Sequence, residues 1–142
     1  MISSNSISRA ESENVLMSKP KILIVDDEEA LRFLLASELE AEAFEVMSAG
    51  DGDEALEMIR KKVEHGEKYD VILLDIKMPK VDGFEVLKFV KSNVPETKVI
   101  MLTAYADVKN AIESLRQGAS DFVSKPYDLD DILTSINRAL GK

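Results

Sequence analysis

The sequence contains no cysteine, so it has neither a disulfide framework nor a thiolate metal site. It also lacks any run near the ~18 apolar residues that a membrane-spanning helix requires. Its N-terminus lacks the basic patch and apolar core of a secretory signal. Together these absences indicate a cytoplasmic protein that does not span a membrane.

Basic side chains are fewer than acidic ones. The 142 residues include 18 basic and 27 acidic side chains, which gives a net charge of −9. Residues 1–20 carry equal numbers of basic and acidic groups, so the whole acidic excess lies in residues 21–142. Such a surface repels phosphate backbones and argues against direct binding of nucleic acid.

The chain divides into two regions that differ in composition and in hydrophobic pattern. Residues 1–20 are rich in Ser, Asn and Glu with little apolar periodicity, which predicts an extension outside the fold, flexible or loosely docked. Residues 21–140 suit one domain, in which short apolar runs alternate with amphipathic segments. The five predicted strands are KILIVDD, FEVMSA, YDVILLD, KVIMLTA and DFVSKP. The first, third and fourth are almost continuously apolar, which is typical of parallel strands covered on both faces.

Five amphipathic segments follow these strands, and their apolar spacing predicts the helix faces that turn inward. In chain order the inward residues are Leu31, Leu34, Leu35 and Leu39; Ala55 and Ile59, more loosely with Met58 and Val63; Phe84, Leu87 and Val90; Val108, Ala111, Ile112 and Leu115; and Leu129, Ile132, Leu133 and Ile136. Asp107 and Asp128 are predicted N-caps, and Gly66 and Gly118 predicted helix ends. Strict βα alternation predicts an α/β fold with a doubly wound, five-stranded parallel sheet.

Ligands bind such sheets beyond the carboxyl ends of the strands, and polar side chains gather there. Asp26 and Asp27 end the first strand, Asp75 the third, Thr103 the fourth and Lys125 the fifth. Neighbouring carboxylates repel unless a cation joins them, and an all-oxygen donor set suits Mg²⁺. A carbonyl just past Asp75, at Lys77, could complete the protein's share of the shell. A carboxylate facing a Lys and a Thr hydroxyl is suited to receive a phosphoryl group.

Each of these residues could instead have a purely structural role. The aspartates could be helix caps or loop carboxylates, Thr103 a turn residue and Lys125 a snorkelling surface lysine. Gly83 is predicted to supply a backbone conformation that other residues cannot adopt. His65 lies beside Gly66, so a solvated cap at a helix end is favoured over catalysis. The case for a site therefore depends on the set, not on any single residue.

Four motifs together, VDDE, LLDIKMPKVDG, LTAY and FVSKP, resemble the receiver domain of bacterial two-component response regulators. The similarity extends from Lys21 to about Leu140. It implies a flavodoxin-like (βα)5 fold with strand order 2-1-3-4-5. It implies that Asp75 is the phosphoacceptor, that Thr103 and Lys125 contact the phosphoryl group, and that the peptide before Pro126 is cis. It further implies that Asp26, Asp27, Asp75 and the Lys77 carbonyl bind Mg²⁺.

The resemblance also implies how a signal would leave the domain. Thr103 and Phe122 would form the switch, although a plain core role for Phe122 stays open. Lys77 and Tyr105 occupy positions that tune the phosphoryl lifetime, and this bulky pair predicts a longer-lived state. A downstream protein would bind the face formed by Asp107–Leu140, and phosphorylation could bring two copies together as a homodimer.

The phosphoryl donor must be another protein. The chain has a single histidine, and neither G-x-x-x-x-G-K-[ST] nor G-x-G-x-x-G occurs in it. The resemblance therefore implies a sensor histidine kinase or a histidine phosphotransfer protein as donor. The domain itself would be a phosphoacceptor in signalling, and not an enzyme beyond catalysing its own phosphorylation and dephosphorylation.

Several alternatives remain beside this hypothesis. Met1 and the long leader favour a single-domain receiver, but RALGK follows the last helix directly, as in a receiver cut from a larger transcriptional regulator with ATPase and DNA-binding output. An unphosphorylated receiver-like binding module is a further alternative. A haloacid-dehalogenase-type phosphatase is disfavoured, because it requires Asp-x-Asp after the first strand, where this chain has adjacent aspartates.

Overall fold

The structure is a computed structural model, and it describes residues 18–104 and 108–142. Most of the predicted N-terminal extension lies outside these ranges. So do Tyr105, with its predicted effect on phosphoryl lifetime, and Asp107, with its predicted capping role.

Five strands form one parallel sheet. They are β1 (Lys21–Val25), β2 (Glu45–Ala49), β3 (Val71–Asp75), β4 (Lys98–Ala104) and β5 (Asp121–Lys125). Their order across the sheet is β2-β1-β3-β4-β5, and every pairing is parallel. The predicted doubly wound fold and its strand order are confirmed. This order brings the carboxyl ends of β1 and β3 together at the centre of one edge.

The helices that connect and follow the strands are α1 (Glu29–Ala41), α2 (Gly52–Glu64), α3 (Gly83–Asn93), α4 (Val108–Arg116) and α5 (Leu129–Ala139). The predicted cap at α5 is present, since the Asp128 carboxylate accepts from the Asp131 amide at 3.0 Å. Gly66 and Gly118 adopt φ of +72° and +107° just beyond α2 and α4, as expected of helix-ending glycines. No helix in the described part of the chain is long and apolar enough to cross a membrane.

Two apolar layers cover the sheet, one on each face. Alternate side chains of β1 and β3 enter opposite layers, as the strand period requires. One layer contains Ile22, Ile24, Val71 and Leu73 with Leu35, Leu39, Ile132 and Ile136 from α1 and α5. The other contains Leu23, Val25, Ile72 and Leu74 with Ala55, Ile59, Val86, Leu87 and Val90 from α2 and α3. Every residue of β3 is buried, so Asp75 ends a strand enclosed on both sides.

Four of the predicted inward side chains are instead exposed. Leu34 is 56% exposed, Ile112 47%, Val63 43% and Leu115 39%. In α4 the inward positions belong to Ala111 and Ser114, both fully buried. Ser114 tolerates burial because its hydroxyl donates to the Ala111 carbonyl at 2.6 Å. For this helix the prediction is confirmed at Ala111 and wrong at Ile112 and Leu115, because apolar spacing favours the large side chains, whereas α4 turns its small ones toward the sheet.

Candidate functional site

Three aspartates converge at the carboxyl edge of the sheet. Asp26 and Asp27 follow β1, and Asp75 ends the neighbouring strand β3. One carboxylate oxygen from each lies within 4.8 Å of the others. Asp26 is 1% exposed and Asp75 7% exposed, whereas Asp27 is open to solvent. The structure therefore brings the predicted carboxylates together, with two of them buried and one at the rim.

Lys125 reaches this cluster from β5. Its ammonium Nζ donates to Asp26 Oδ2 at 3.0 Å and lies 3.6 Å from Asp75 Oδ2. Desolvation acts to lower the pKa of Lys125, but the hydrogen bond to Asp26 and the charges of Asp75 and Asp26 outweigh it, so the pKa is raised. The side chain thus remains a cation at neutral pH and supplies one positive charge to three carboxylates.

The carboxyl group of Asp75 has a strongly shifted pKa. Burial is the main cause, the charges of Asp26 and Asp27 add to it, and Lys125 and the Lys77 amide oppose it; the net effect raises the pKa of Asp75 from 3.8 to about 6. The Lys77 N–H donates to Asp75 Oδ1 at 3.3 Å. Excess negative charge on hard oxygen donors is what a divalent cation such as Mg²⁺ would neutralise. These three aspartates fit such an ion.

The loop after β3 is held against the strand end by a close backbone approach. The Gly83 N–H donates to the Ile76 carbonyl at 3.0 Å. A Cβ atom at Gly83 would collide with the Asp75 carbonyl oxygen and come within 2.9 Å of the Ile76 Cα. Among the described residues, the glycines with positive φ are Gly66, Gly118 and Gly141. Gly83 is not one of them, so the prediction that it adopts a special backbone conformation was wrong. Glycine is required at this position because a side chain would collide with the backbone at the end of β3.

Thr103 and Phe122 lie on the adjacent strands. Thr103 is fully buried one residue beyond Leu102, the β4 partner of Asp75, and its hydroxyl donates to the Ala104 carbonyl at 3.2 Å. Phe122 lies opposite Met101 and is half-buried against the layer that contains α2 and α3. The Lys125–Pro126 peptide is cis. His65 lies apart from the cluster, where its exposed Nδ1 donates to the Lys61 carbonyl at 2.7 Å at the end of α2.

Two further residues, which the sequence motifs do not include, lie near the cluster. Arg32 Nη1 donates to the Asp26 carbonyl oxygen at 2.6 Å. The Tyr127 hydroxyl is buried without a hydrogen-bond partner among the residues that the structure describes. Burial first, then the charges of Asp26 and Asp75, raise the pKa of Tyr127. The position of Arg32, one turn into the helix after the acidic pair, was the available signal; Tyr127, two residues past Lys125, gave none.

Comparisons with known proteins agree on one family. The family model described as "Response regulator receiver domain" matches residues 22–137. Regulatory protein AtoC of Escherichia coli (strain K12) is 42% identical over 120 residues, which are 84% of this chain and 25% of that protein. Sporulation initiation phosphotransferase F of Bacillus subtilis (strain 168) is 36% identical over 124 residues, 87% of this chain and 96% of that protein.

A solved structure shows the same likeness in three dimensions. The crystal structure of a response regulator receiver domain protein from Clostridium thermocellum superposes with a TM-score of 0.78 at 34% identity, covering 86% of this chain and 94% of that one. The first curated relatives are longer, and the chain spans about a quarter to a half of their length.

Proposed function

Because the chain belongs to the response regulator receiver domain family, we propose that it accepts a phosphoryl group on Asp75 from a phosphohistidine donor, in a Mg²⁺-dependent reaction that switches partner binding. The observation that carries this proposal is the convergence of Asp26, Asp27 and Asp75 within 4.8 Å, with the Lys125 ammonium 3.6 Å from Asp75. A buried carboxylate beside a fixed cation is a suitable nucleophile for phosphorus.

The chemistry is a simple displacement. A carboxylate oxygen of Asp75 forms a P–O bond while the P–N bond to the donor imidazole breaks; the imidazole nitrogen retains the electron pair and takes up a proton. Catalysis of such a transfer is mostly positioning and charge stabilisation. The buried strand β3 and the close packing of Gly83 hold Asp75 in place. Lys125 and the Thr103 hydroxyl would each contact a phosphoryl oxygen.

The residues that would hold Mg²⁺ are Asp26, Asp27, Asp75 and the backbone carbonyl of Lys77. When bound, the ion supplies positive charge that offsets the carboxylates and the phosphoryl oxygens. The added positive charge would also lower the raised pKa of Asp75, so that the acceptor carboxylate stays ionised over a wider pH range.

The donor would bind beside the cluster, over the first turns of α1. There Phe33 is 75% and Leu34 56% exposed. Phe33 also lines an open groove, together with Glu29, Ala30, Arg32, Ala36 and Ser48. Large exposed apolar side chains next to a reactive group are typical of a protein-binding surface. A sensor histidine kinase or a histidine phosphotransfer protein would present its phosphohistidine here.

The output would leave through the face formed by residues 107–140. In this face α4 exposes Ile112 and Leu115, which offer an apolar contact to a downstream protein or to a second copy in a homodimer. Thr103 and Phe122 would link the phosphoryl group to this face, and Lys77 with Tyr105 would set the phosphoryl lifetime. This coupling requires that the region has two conformations and that phosphorylation favours one of them.

Intact mass after incubation with acetyl phosphate tests the proposal. We expect a base-labile gain of one phosphoryl group that requires Mg²⁺ and is lost in Asp75→Asn. Asp53→Asn is the matched control, since Asp53 is exposed on α2, and it should be phosphorylated normally. No gain in the unsubstituted protein, together with no binding of Mg²⁺, would favour an unphosphorylated binding module.

A second candidate concerns the context of the domain. The 42% identity with Regulatory protein AtoC, of which the chain matches a quarter, favours a receiver that works within a longer transcriptional regulator with ATPase and DNA-binding output. The 96% coverage of sporulation initiation phosphotransferase F favours a receiver that acts alone. Size exclusion of the natural protein from its source cells distinguishes the two.

A further inference from the structure

We propose that Arg32 is a positioning residue for the metal site, acting through the peptide group that joins Asp26 to Asp27. The inference rests on the proposed function, because it concerns the Mg²⁺ that Asp26, Asp27 and Asp75 would hold. Arg32 lies on α1, and the structure places its guanidinium at the main chain of the acidic pair.

The contact acts on both aspartates at once. Arg32 Nη1 donates to the carbonyl oxygen of Asp26 at 2.6 Å. That oxygen belongs to the peptide unit between Asp26 and Asp27, and a peptide unit is planar. Holding the oxygen therefore fixes the plane that contains the Cα atoms of both residues. A short hydrogen bond from a charged donor is suited to this, being roughly twice as strong as a neutral one.

Asp26 is held from its other sides as well. Its N–H donates to the Ala49 carbonyl at 3.2 Å, and its carboxylate accepts from the Glu28 N–H at 2.9 Å and from Lys125 at 3.0 Å. Asp27 is exposed. The peptide plane that Arg32 holds thus connects Asp27 to Asp26, which is fixed by its own hydrogen bonds. It therefore determines the direction in which the Asp27 side chain leaves the backbone.

Gly50, the residue after β2, makes room for this contact. A Cβ atom there would lie 3.3 Å from Arg32 Nη1 and 3.5 Å from its Cζ. Gly50 has no positive φ that would itself require glycine. The absent side chain therefore leaves the guanidinium free to lie between the start of α1 and the end of β2.

Charge and positioning predict opposite effects for the removal of Arg32. The guanidinium is a cation near a site for a divalent cation, so its loss on Coulombic grounds alone tightens Mg²⁺ binding. If Arg32 positions the acidic pair, its loss weakens binding instead. Groups that orient metal ligands typically change metal affinity by about 10–100-fold when they are mutated. The sign of the change therefore separates the two roles.

Calorimetric titration with Mg²⁺ is the direct test. Arg32→Met removes the donors and the charge while keeping most of the side-chain volume, and we expect it to weaken Mg²⁺ binding by about 10-fold or more. Arg32→Lys keeps the charge but loses the planar fork, and should be intermediate. The control is Arg60→Met on α2, whose guanidinium lies 5.2 Å from the Phe89 ring centroid, and its affinity should be unchanged. Equal or tighter binding by Arg32→Met, confirmed as folded by its thermal melt, would overturn the proposal.

Gly50→Ala gives a second test that leaves Arg32 in place. The added methyl displaces the guanidinium by a few tenths of an ångström, so we expect a smaller loss of Mg²⁺ affinity. This loss should vanish in the Arg32→Met background, because the residue being displaced is no longer there. An equal loss in both backgrounds would show that Gly50 acts independently and would count against the proposal.

The rate of phosphorylation by acetyl phosphate distinguishes this inference from the proposed function. In Arg32→Met the Mg²⁺ concentration for half-maximal rate should rise by the same factor as the dissociation constant, while the rate at saturating Mg²⁺ falls less. If the unsubstituted protein binds no Mg²⁺, the metal site of the proposed function fails, and this inference fails with it. If the unsubstituted protein binds Mg²⁺ and Arg32→Met binds it equally, only the role of Arg32 is overturned.

Discussion

Lys125 and Asp26 are 99 residues apart in the sequence, yet the Lys125 ammonium donates to Asp26 Oδ2 at 3.0 Å. Their strands, β5 and β1, are not neighbours, since β3 and β4 lie between them. The lysine therefore crosses the carboxyl edge of two strands to reach its partner. The contact ties the far side of the sheet to the acidic pair.

Lys125→Met should both destabilise the protein and slow phosphorylation. It leaves the buried Asp26 carboxylate without its ammonium partner. Because the Lys125 side chain is 22% exposed, water screens the pair, and we expect a loss of about 1–3 kcal/mol in urea unfolding without metal. Phosphorylation by acetyl phosphate should slow about 100-fold. Lys61→Met, which removes an exposed pair with Glu57, should change stability by less than about 0.5 kcal/mol. Equal losses in the two variants would contradict this interpretation.

Asp75→Asn should stabilise the metal-free protein, and more so at higher pH. The folded-state pKa of Asp75 is raised to about 6 from 3.8, so folding favours the protonated carboxyl. The associated stability is present below about pH 4 and is lost as pH rises through 6, where the ionised group opposes folding by at most about 3 kcal/mol. Urea unfolding in chelator should therefore show the full advantage of Asp75→Asn at pH 8 and about half of it at pH 5. A difference that does not vary with pH would refute the buried-carboxyl explanation.

Gly83→Ala should destabilise the fold through a backbone collision. The new methyl meets the carbonyl oxygen of Asp75 and the Cα of Ile76, which cannot move without shifting β3. We expect a cost of about 1–3 kcal/mol by thermal or urea unfolding. Gly50→Ala is the control for stability, because its methyl meets only the flexible end of Arg32, and it should be close to neutral. Similar costs at both sites would contradict the steric account.

Tyr127→Phe should leave the protein at least as stable as before, whereas Thr97→Val should destabilise it. The Tyr127 hydroxyl is buried without a partner among the described residues, so its removal should be neutral or stabilising by up to about 1 kcal/mol. The Thr97 hydroxyl is also buried, but it donates to the Tyr69 carbonyl at 2.7 Å. Its removal leaves that carbonyl unsatisfied and should cost about 1–2 kcal/mol. Urea unfolding of both variants compares them, and a clear loss in Tyr127→Phe would indicate that its hydroxyl has a partner.

Strand period and βα alternation were sufficient to predict a parallel sheet with polar side chains at the carboxyl ends of its strands. The order of the strands came from the family resemblance, and with it Asp26, Asp75 and Lys125 could be placed near one another without coordinates. The contact of Arg32 was not predicted: its position one turn after the acidic pair was a signal, but a hydrogen bond to a main-chain oxygen does not depend on the residue type of the partner. The steric role of Gly83 could not be predicted either. It depends on how closely the start of α3 approaches the end of β3, which local sequence does not determine.

The small inward side chains of α4 have a consequence for its movement. Its buried contacts in the described residues come from Ala111 and Ser114, and a methyl contributes only about 0.8 kcal/mol of apolar burial. By contrast α5 is anchored by the fully buried Ile132 and Ile136. A helix that buries so few large side chains can move relative to the sheet at a small cost in free energy. We therefore expect amide hydrogens in α4 to exchange with deuterium faster than those in α5. By this comparison α4 can be displaced from the sheet more easily than α5.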